Sequence, residues 1–200
     1  MNLIMISNLA LIITSVYLYS LILRYLHKKN NFQKIATGIL FGTISVLSMI
    51  FAIKTESGVI FDGRSIILGL VGIFGGGIAT LIAAIISMIY RIIIGGSGMI
   101  TGIIVIVTSA FTGYVFCIYF PRIKLKRKYY AIFTFGVLLH IIVLFLFFIL
   151  LPMKLNEVSD YFWIFYLVVF PVILTIIYYM IVDQKKKFDQ ARDLELSRER

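Results

Sequence analysis

Between Ser65 and Phe120 the chain carries one charged residue, Arg91, and two glycine clusters cut this apolar stretch into pieces: Gly75-Gly76-Gly77 and Gly95-Gly96-Ser97-Gly98. Few folds accept that pattern. A charge-free run of this length must leave water, and a bilayer is the solvent that takes it up as helices. Inside a bilayer an arginine and a broken helix are both costly, so both direct attention to packing or ligand chemistry.

The remainder of the chain extends the same reading. With 61% hydrophobic residues, 14% charged residues and a mean hydropathy of +1.04, the 200-residue chain is excluded from the soluble globular class. Apolar runs fall at about 3–26, 35–53, 64–76, 78–94, 99–120, 129–151 and 161–182. Several approach or exceed the roughly 18–20 residues a spanning helix needs. The expected fold is all-α: a polytopic helical membrane bundle of about six to seven transmembrane helices, including a short glycine-broken one, plus a cytoplasmic C-terminal helix.

A net charge of +10 suggests nucleic acid at first sight. The basic residues, however, sit in short clusters between apolar runs, which fits the positive-inside rule with anionic lipid headgroups as partners. No nucleic-acid partner is expected. Cys117 is the single cysteine, so an intrachain disulfide or thiolate metal site is ruled out. The first run, Leu3 to Leu26, has no basic residue before it and no small-residue cleavage site, and it is longer than a signal-peptide core. It reads as a retained spanning helix.

Topology follows from parity. The basic clusters are Arg24/Lys28/Lys29/Lys34, Arg122/Lys124/Lys126/Arg127/Lys128 and Lys185/Lys186/Lys187, while the loops Lys54–Arg64 and Pro152–Asp160 are short and mixed in sign. Placing all three clusters in the cytoplasm puts both loops outside, so an odd number of crossings must separate Arg64 from Arg122. A single helix over 64–94 gives two and strands five basic residues on the wrong face. Separate crossings over 64–76 and 78–94 give three. The sequence therefore predicts seven crossings, N-terminus outside and C-terminus in the cytoplasm, with six as the variant in which one piece is re-entrant. The third crossing then spans only roughly 20 Å against a hydrocarbon thickness near 30 Å. Such a segment must be shielded by its neighbours.

Small residues recur four apart at Gly72 and Gly76, at Ala79, Ala83 and Ser87, and at Gly98 and Gly102. This spacing puts them on one face and lets backbones approach, so the third to fifth crossings are expected to form the packed centre. Beyond Asp183 the character changes: eleven of the last eighteen residues are charged, with mixed sign. That composition favours a solvated helix continuing into the cytoplasm, read here as a linker (183–200) after a sensor region (1–182) and as truncated before an output domain. No heptad seam is clear, and a homodimer is only one possibility.

Asp62 and Arg64 open the third crossing. They serve either as an N-cap and a headgroup anchor, or as the lining of an outward-facing ligand cavity. Arg91 lies one turn inside the outer end of the fourth crossing, where it either snorkels or pairs with Asp62, directly or through Arg64, beside the Gly95–Gly98 turn. Tyr90 neighbours Arg91, and the turn amides at Gly96–Gly98 either offer anion donors or simply make a tight helix reversal. The candidate ligand-binding set is Asp62, Arg64, Tyr90, Arg91, Gly95 and Gly96. Gly72, Gly75, Gly76, Gly77, Ala79 and Ala83 form the structural break and the helix-packing set. His140, in mid-membrane, reads as an interhelical hydrogen-bonding group, and with His27 at another depth it makes no metal or haem pair. Tyr114, Tyr119, Tyr129, Tyr130, Tyr161, Trp163 and Tyr166 read as interfacial anchors. No nucleophile–base constellation or paired intramembrane carboxylates occur, so no catalysis, cofactor or metal is expected of this chain.

Gly58-Val59-Ile60-Phe61-Asp62-Gly63-Arg64-Ser65, then Gly69 and Gly72-Ile73-Phe74-Gly75-Gly76, resembles the LytS-type five-transmembrane receptor domain. Ala79…Leu81-Ile82-Ala83-Ala84…Tyr90-Arg91…Gly95-Gly96…Gly98 continues the match. The likeness is strongest over about 58–120 and extends by topology over about 30–185. It departs at Gly77, where the family often has proline, and in the absence of an output module. The resemblance implies the sensor region of a sensor histidine kinase or diguanylate cyclase in the bacterial plasma membrane. Such a region passes a ligand or envelope signal, in cell-wall or metabolite sensing, to a cytoplasmic kinase, PAS or cyclase module. The rival reading is a small-molecule-binding subunit resembling the S-component of an energy-coupling vitamin transporter, which also packs about six helices around a broken segment. The charged C-terminal helix weighs against it.

Overall fold

A computed structural model of the chain describes residues 2–26, 31–54, 60–120, 128–150 and 165–198. The elements are α1 (Asn2–Tyr25), α2 (Asn31–Ile50), a two-residue antiparallel ladder of β1 (Ile53–Lys54) and β2 (Ile60–Phe61), α3 (Arg64–Ile94), α4 (Met99–Tyr119), α5 (Lys128–Leu150) and α6 (Phe170–Arg198). Six of the helices are long and apolar enough to cross a membrane. The fold is thus an all-α, multi-pass membrane bundle, and helices are what lipid demands because they satisfy their own backbone groups. Large apolar side chains such as Leu81, Ile93, Ile100, Phe111 and Phe148 are exposed on its outside, as expected of a surface solvated by acyl chains.

α3 is the most buried of the spans, and it is not straight. Gly76 has φ 70° and ψ −175°, a region that essentially only glycine occupies. Two hydrogen-bonding contacts to α2 reveal what happens there. The Gly63 amide donates to the Ser48 hydroxyl (3.0 Å), and the Ser87 hydroxyl lies 2.9 Å from that of Ser45, one turn away on the same helix. In a continuous helix Gly63 and Ser87 would stand roughly 36 Å apart. The chain therefore doubles back at Gly76, and α3 is a hairpin of a short first arm and a longer second arm. With its two arms counted separately, the described residues form seven legs.

Small residues set how close the legs come. A Cβ built at Gly38 would lie 2.8 Å from the Ala79 carbonyl oxygen, and one at Gly42 would lie 3.2 Å from the Ala83 Cα. With Ser45–Ser87 these form a three-rung seam between α2 and the second arm. On the other side the first arm meets α4: Gly72 and Gly69 abut Gly113 backbone to backbone. The Gly75 position faces Ala79 across the turn (2.6 Å), and the Gly77 position faces the Tyr114 ring (3.2 Å).

At the Gly76 end an aromatic cluster joins distant legs. Tyr19 packs edge-on to Phe41 (5.8 Å), Phe74 stacks on Tyr178 (5.7 Å), Phe120 meets Tyr178 (5.4 Å), and Phe116 meets Phe135 (4.4 Å). Tyr114, Tyr119 and Tyr130 are exposed. The side chains of Tyr129 and Tyr166, residues Tyr161 and Trp163, and most of the basic-cluster residues between the legs lie outside the described residues. A π-helical turn, Phe165–Val169, leads into α6, which runs unbroken past Asp183 to Arg198. The Lys187–Asp183 pair on it (2.6 Å) is exposed and contributes little.

Candidate functional site

The end of the bundle opposite Gly76 gathers the N-terminal half of α1, the end of α2, both ends of the α3 hairpin and the start of α4. The first arm of α3 begins at Gly63. Its amide is held by Ser48 (3.0 Å) and by Asn8 Oδ1 (3.3 Å), and the Gly63 carbonyl accepts from the amides of Ile66 (3.1 Å) and Ile67 (3.3 Å). Of the two readings of Asp62, the N-cap one is not met, because Gly63 occupies that position. The Asp62 carboxylate instead accepts from the Arg64 amide (2.9 Å), an Asx-type turn that fixes the carboxylate beside the Arg64 side chain.

Asp62, Arg64 and Arg91 are buried, at 5%, 3% and 1% exposure. Arg64 Nε lies 3.5 Å from Asp62 Oδ1, and its Nη2 reaches the Ile60 carbonyl at 3.5 Å, a long contact. Arg91 Nη1 donates to the Gly95 carbonyl (2.8 Å), which glycine's φ of 66° turns back toward the helix. The Arg91 side chain passes over Gly102 of α4, where any side chain would overlap its Nε. The hairpin thus brings Arg91 into the neighbourhood of Asp62 and Arg64, 27 and more residues earlier in the chain. Their charges act on one another: burial pushes the Asp62 carboxyl above its ordinary range, against Arg64, the Arg64 amide and Arg91, which pull it down.

The balance is uneven. Arg64 pairs with the Asp62 carboxylate while Arg91 is held by Gly95, and Arg64 Nη1 and Arg91 Nε are buried without a hydrogen-bond acceptor among the described residues. A buried donor left in that state costs roughly 1–3 kcal/mol, and more when charged. Such a pair is suited to donate to a carboxylate or phosphate oxygen.

The sequence anticipated Asp62, Arg64 and Arg91 as a group, and the hairpin assembles them. The ion pair is Asp62–Arg64. Arg91 makes its close contact with Gly95, so Gly95 holds the arginine through its carbonyl. Gly96 (φ 85°) shapes the turn, and its carbonyl accepts from the Met99 amide (3.1 Å). Tyr90 is half-buried with no polar partner among the described residues. Asn8, Ser48 and Gly102 were missed. Gly98-xxx-Gly102 gave the one available signal, and it read as helix packing rather than as a bed for an arginine.

A second polar contact adjoins the site. The His140 Nδ1–H donates to the Gly136 carbonyl (2.7 Å), leaving Nε2 to accept from the Ser65 hydroxyl at 3.5 Å. The His140 ring lies 5.4 Å from that of Phe170, the first residue of α6. The interhelical role expected of His140 is what the geometry gives it.

Residues 16–184 match the family model described as the 5TMR of 5TMR-LYT. The chain belongs to the LytS-type five-transmembrane receptor family. Membership makes this a membrane sensor region, a sensory rather than a catalytic module, and it accords with the multi-pass bundle. No curated protein and no solved structure matches the chain significantly.

Proposed function

We propose that this LytS-type region is the ligand-sensing part of a receptor in the bacterial plasma membrane, N-terminus outside and C-terminus in the cytoplasm. A small anionic ligand binds at Asp62, Arg64 and Arg91, and the signal leaves through α6 to a cytoplasmic output module of the kinase, PAS or cyclase type. One observation carries this reading: two buried guanidiniums, each with an unaccepted N–H, held together at one end of the bundle by a helix hairpin. In a purely structural site the cheaper arrangement is one arginine per carboxylate.

The path outward rests on contacts already described. Arg64 adjoins Ser65 in the chain, Ser65 meets His140, and His140 packs on Phe170, where the π-helical turn gives way to α6. A ligand that pulls on Arg64 biases that junction, and a coupling of about 1–3 kcal/mol suffices for a several-fold to hundredfold change in output. The test is a fusion of this chain to a histidine-kinase output domain, reconstituted in vesicles and titrated with small carboxylates and inorganic phosphate. Arg91→Ala should abolish the response while the protein still inserts. An unchanged dose–response would remove Arg91 from the site.

A further inference from the structure

The polar residues of α1 are not explained by lipid contact or by the sensing site as drawn. Asn8 is 4% exposed and uses both ends of its amide. Its Nδ2 donates to the Phe51 carbonyl (2.8 Å), one of the carbonyls that the C-terminal end of α2 leaves without an intrahelical donor. Its Oδ1 accepts from the Ser48 hydroxyl (2.5 Å) and from the Gly63 amide (3.3 Å). The contacts fix the amide's orientation, because the Phe51 carbonyl admits only the NH₂ group and the Gly63 N–H admits only the oxygen. One side chain therefore ties three elements together: α1, the end of α2 and the residue between Asp62 and Arg64.

Gly63 sits in a close fit. A Cβ there would lie 3.0 Å from Ile12 Cδ1, 3.6 Å from Asn8 Oδ1 and 3.6 Å from Ser48 Oγ. The start of α3 is thus pressed against α1, and its position is set by Asn8 and Ser48. Arg91 is held differently, by Gly95 of its own turn and by the bare backbone at Gly102.

We infer that Asn8 is a positioning residue for Arg64 and Asp62, so that the first helix belongs to the arginine site although Asn8 lies outside the family-matched residues 16–184. The inference takes that site to be the receptor's binding site, but its test needs no ligand. In buried protein an arginine reacts with a dicarbonyl reagent only when its surroundings open. The full chain in lipid nanodiscs is treated with phenylglyoxal, and modification at Arg64 and Arg91 is followed separately by mass spectrometry. Asn8→Leu should raise the rate at Arg64 by roughly tenfold, the effect of losing about one buried hydrogen bond, and leave Arg91 unchanged. If Asn8→Leu does not insert, Ser48→Ala removes the other acceptor and carries the same expectation. Equal acceleration at both arginines together with a lower melting temperature marks general loosening and overturns the inference. So does an unchanged rate at Arg64. Selective exposure of Arg64 in a receptor whose signalling ignores Arg64→Ala upholds the positioning role and refutes the sensing site instead.

Discussion

Arg91 lies across the bare backbone of Gly102, its Nε occupying the space where a side chain would begin. This contact explains how a guanidinium 1% exposed fits between two packed helices. The glycine supplies a channel, and Gly95 supplies the carbonyl at its end.

Gly102→Ala should therefore displace Arg91 without disturbing α4. The clash is with a flexible side chain, so insertion and helical content should be retained, with a loss of about 1–3 kcal/mol typical of overpacking. In the kinase fusion the response should fall as it does in Arg91→Ala. A Gly102→Ala protein that signals normally would show that the position of Arg91 is unimportant.

Among the glycines of the break, Gly72 and Gly76 should differ in kind. An alanine at Gly76 meets open space but must adopt φ near 70°, a strain of order 1–3 kcal/mol. An alanine at Gly72 collides with the Gly113–Tyr114 backbone, which cannot rotate away. Thermal unfolding followed by size-exclusion chromatography should rank Gly72→Ala below Gly76→Ala. The reverse order would mean that the turn conformation, rather than interhelical approach, limits stability.

Asp62 should leave a pH signature. Its folded pKa is raised from 3.8, chiefly by burial, so the folded state keeps a proton that the unfolded chain has lost. The associated stability is full below the unfolded value and is lost as pH rises through the folded value. On acidification from neutral toward about pH 4, the wild-type melting temperature should climb relative to that of Asp62→Asn. A relative fall over this range would mean that the two arginines hold the carboxylate ionised.

His140→Leu should separate sensing from output. It keeps the apolar contact with Phe170 but removes the acceptor for Ser65, so the concentration giving half-maximal response should hold while the maximal output drops several-fold. Loss of both together would place His140 within the binding site.

Much of this was open to a reader of the sequence. The glycine triplet, the parity of basic clusters and the lone Arg91 led to a doubled-back third segment, and the Gly63–Ser48 and Ser87–Ser45 contacts bear that out. Ala79, Ala83 and Ser87 read correctly as a packing face, although their partners Gly38, Gly42 and Ser45 did not emerge. The tyrosines read as interfacial anchors left Tyr19 and Tyr178 unassigned, and both belong to the aromatic cluster at the Gly76 end.

Local chemistry by itself determined the helices, the lipid-facing composition and the points where the chain must break. These depend on runs of side chains and on glycine's backbone freedom, both of which act over a few residues. Tertiary structure alone decided that Asn8 serves Gly63 from 55 positions away, that Gly102 makes room for Arg91, and that Ser65 reaches His140 across 75 positions. Hydrogen bonds and close approaches depend on ångström-scale distances, and those are fixed only when the legs pack against one another.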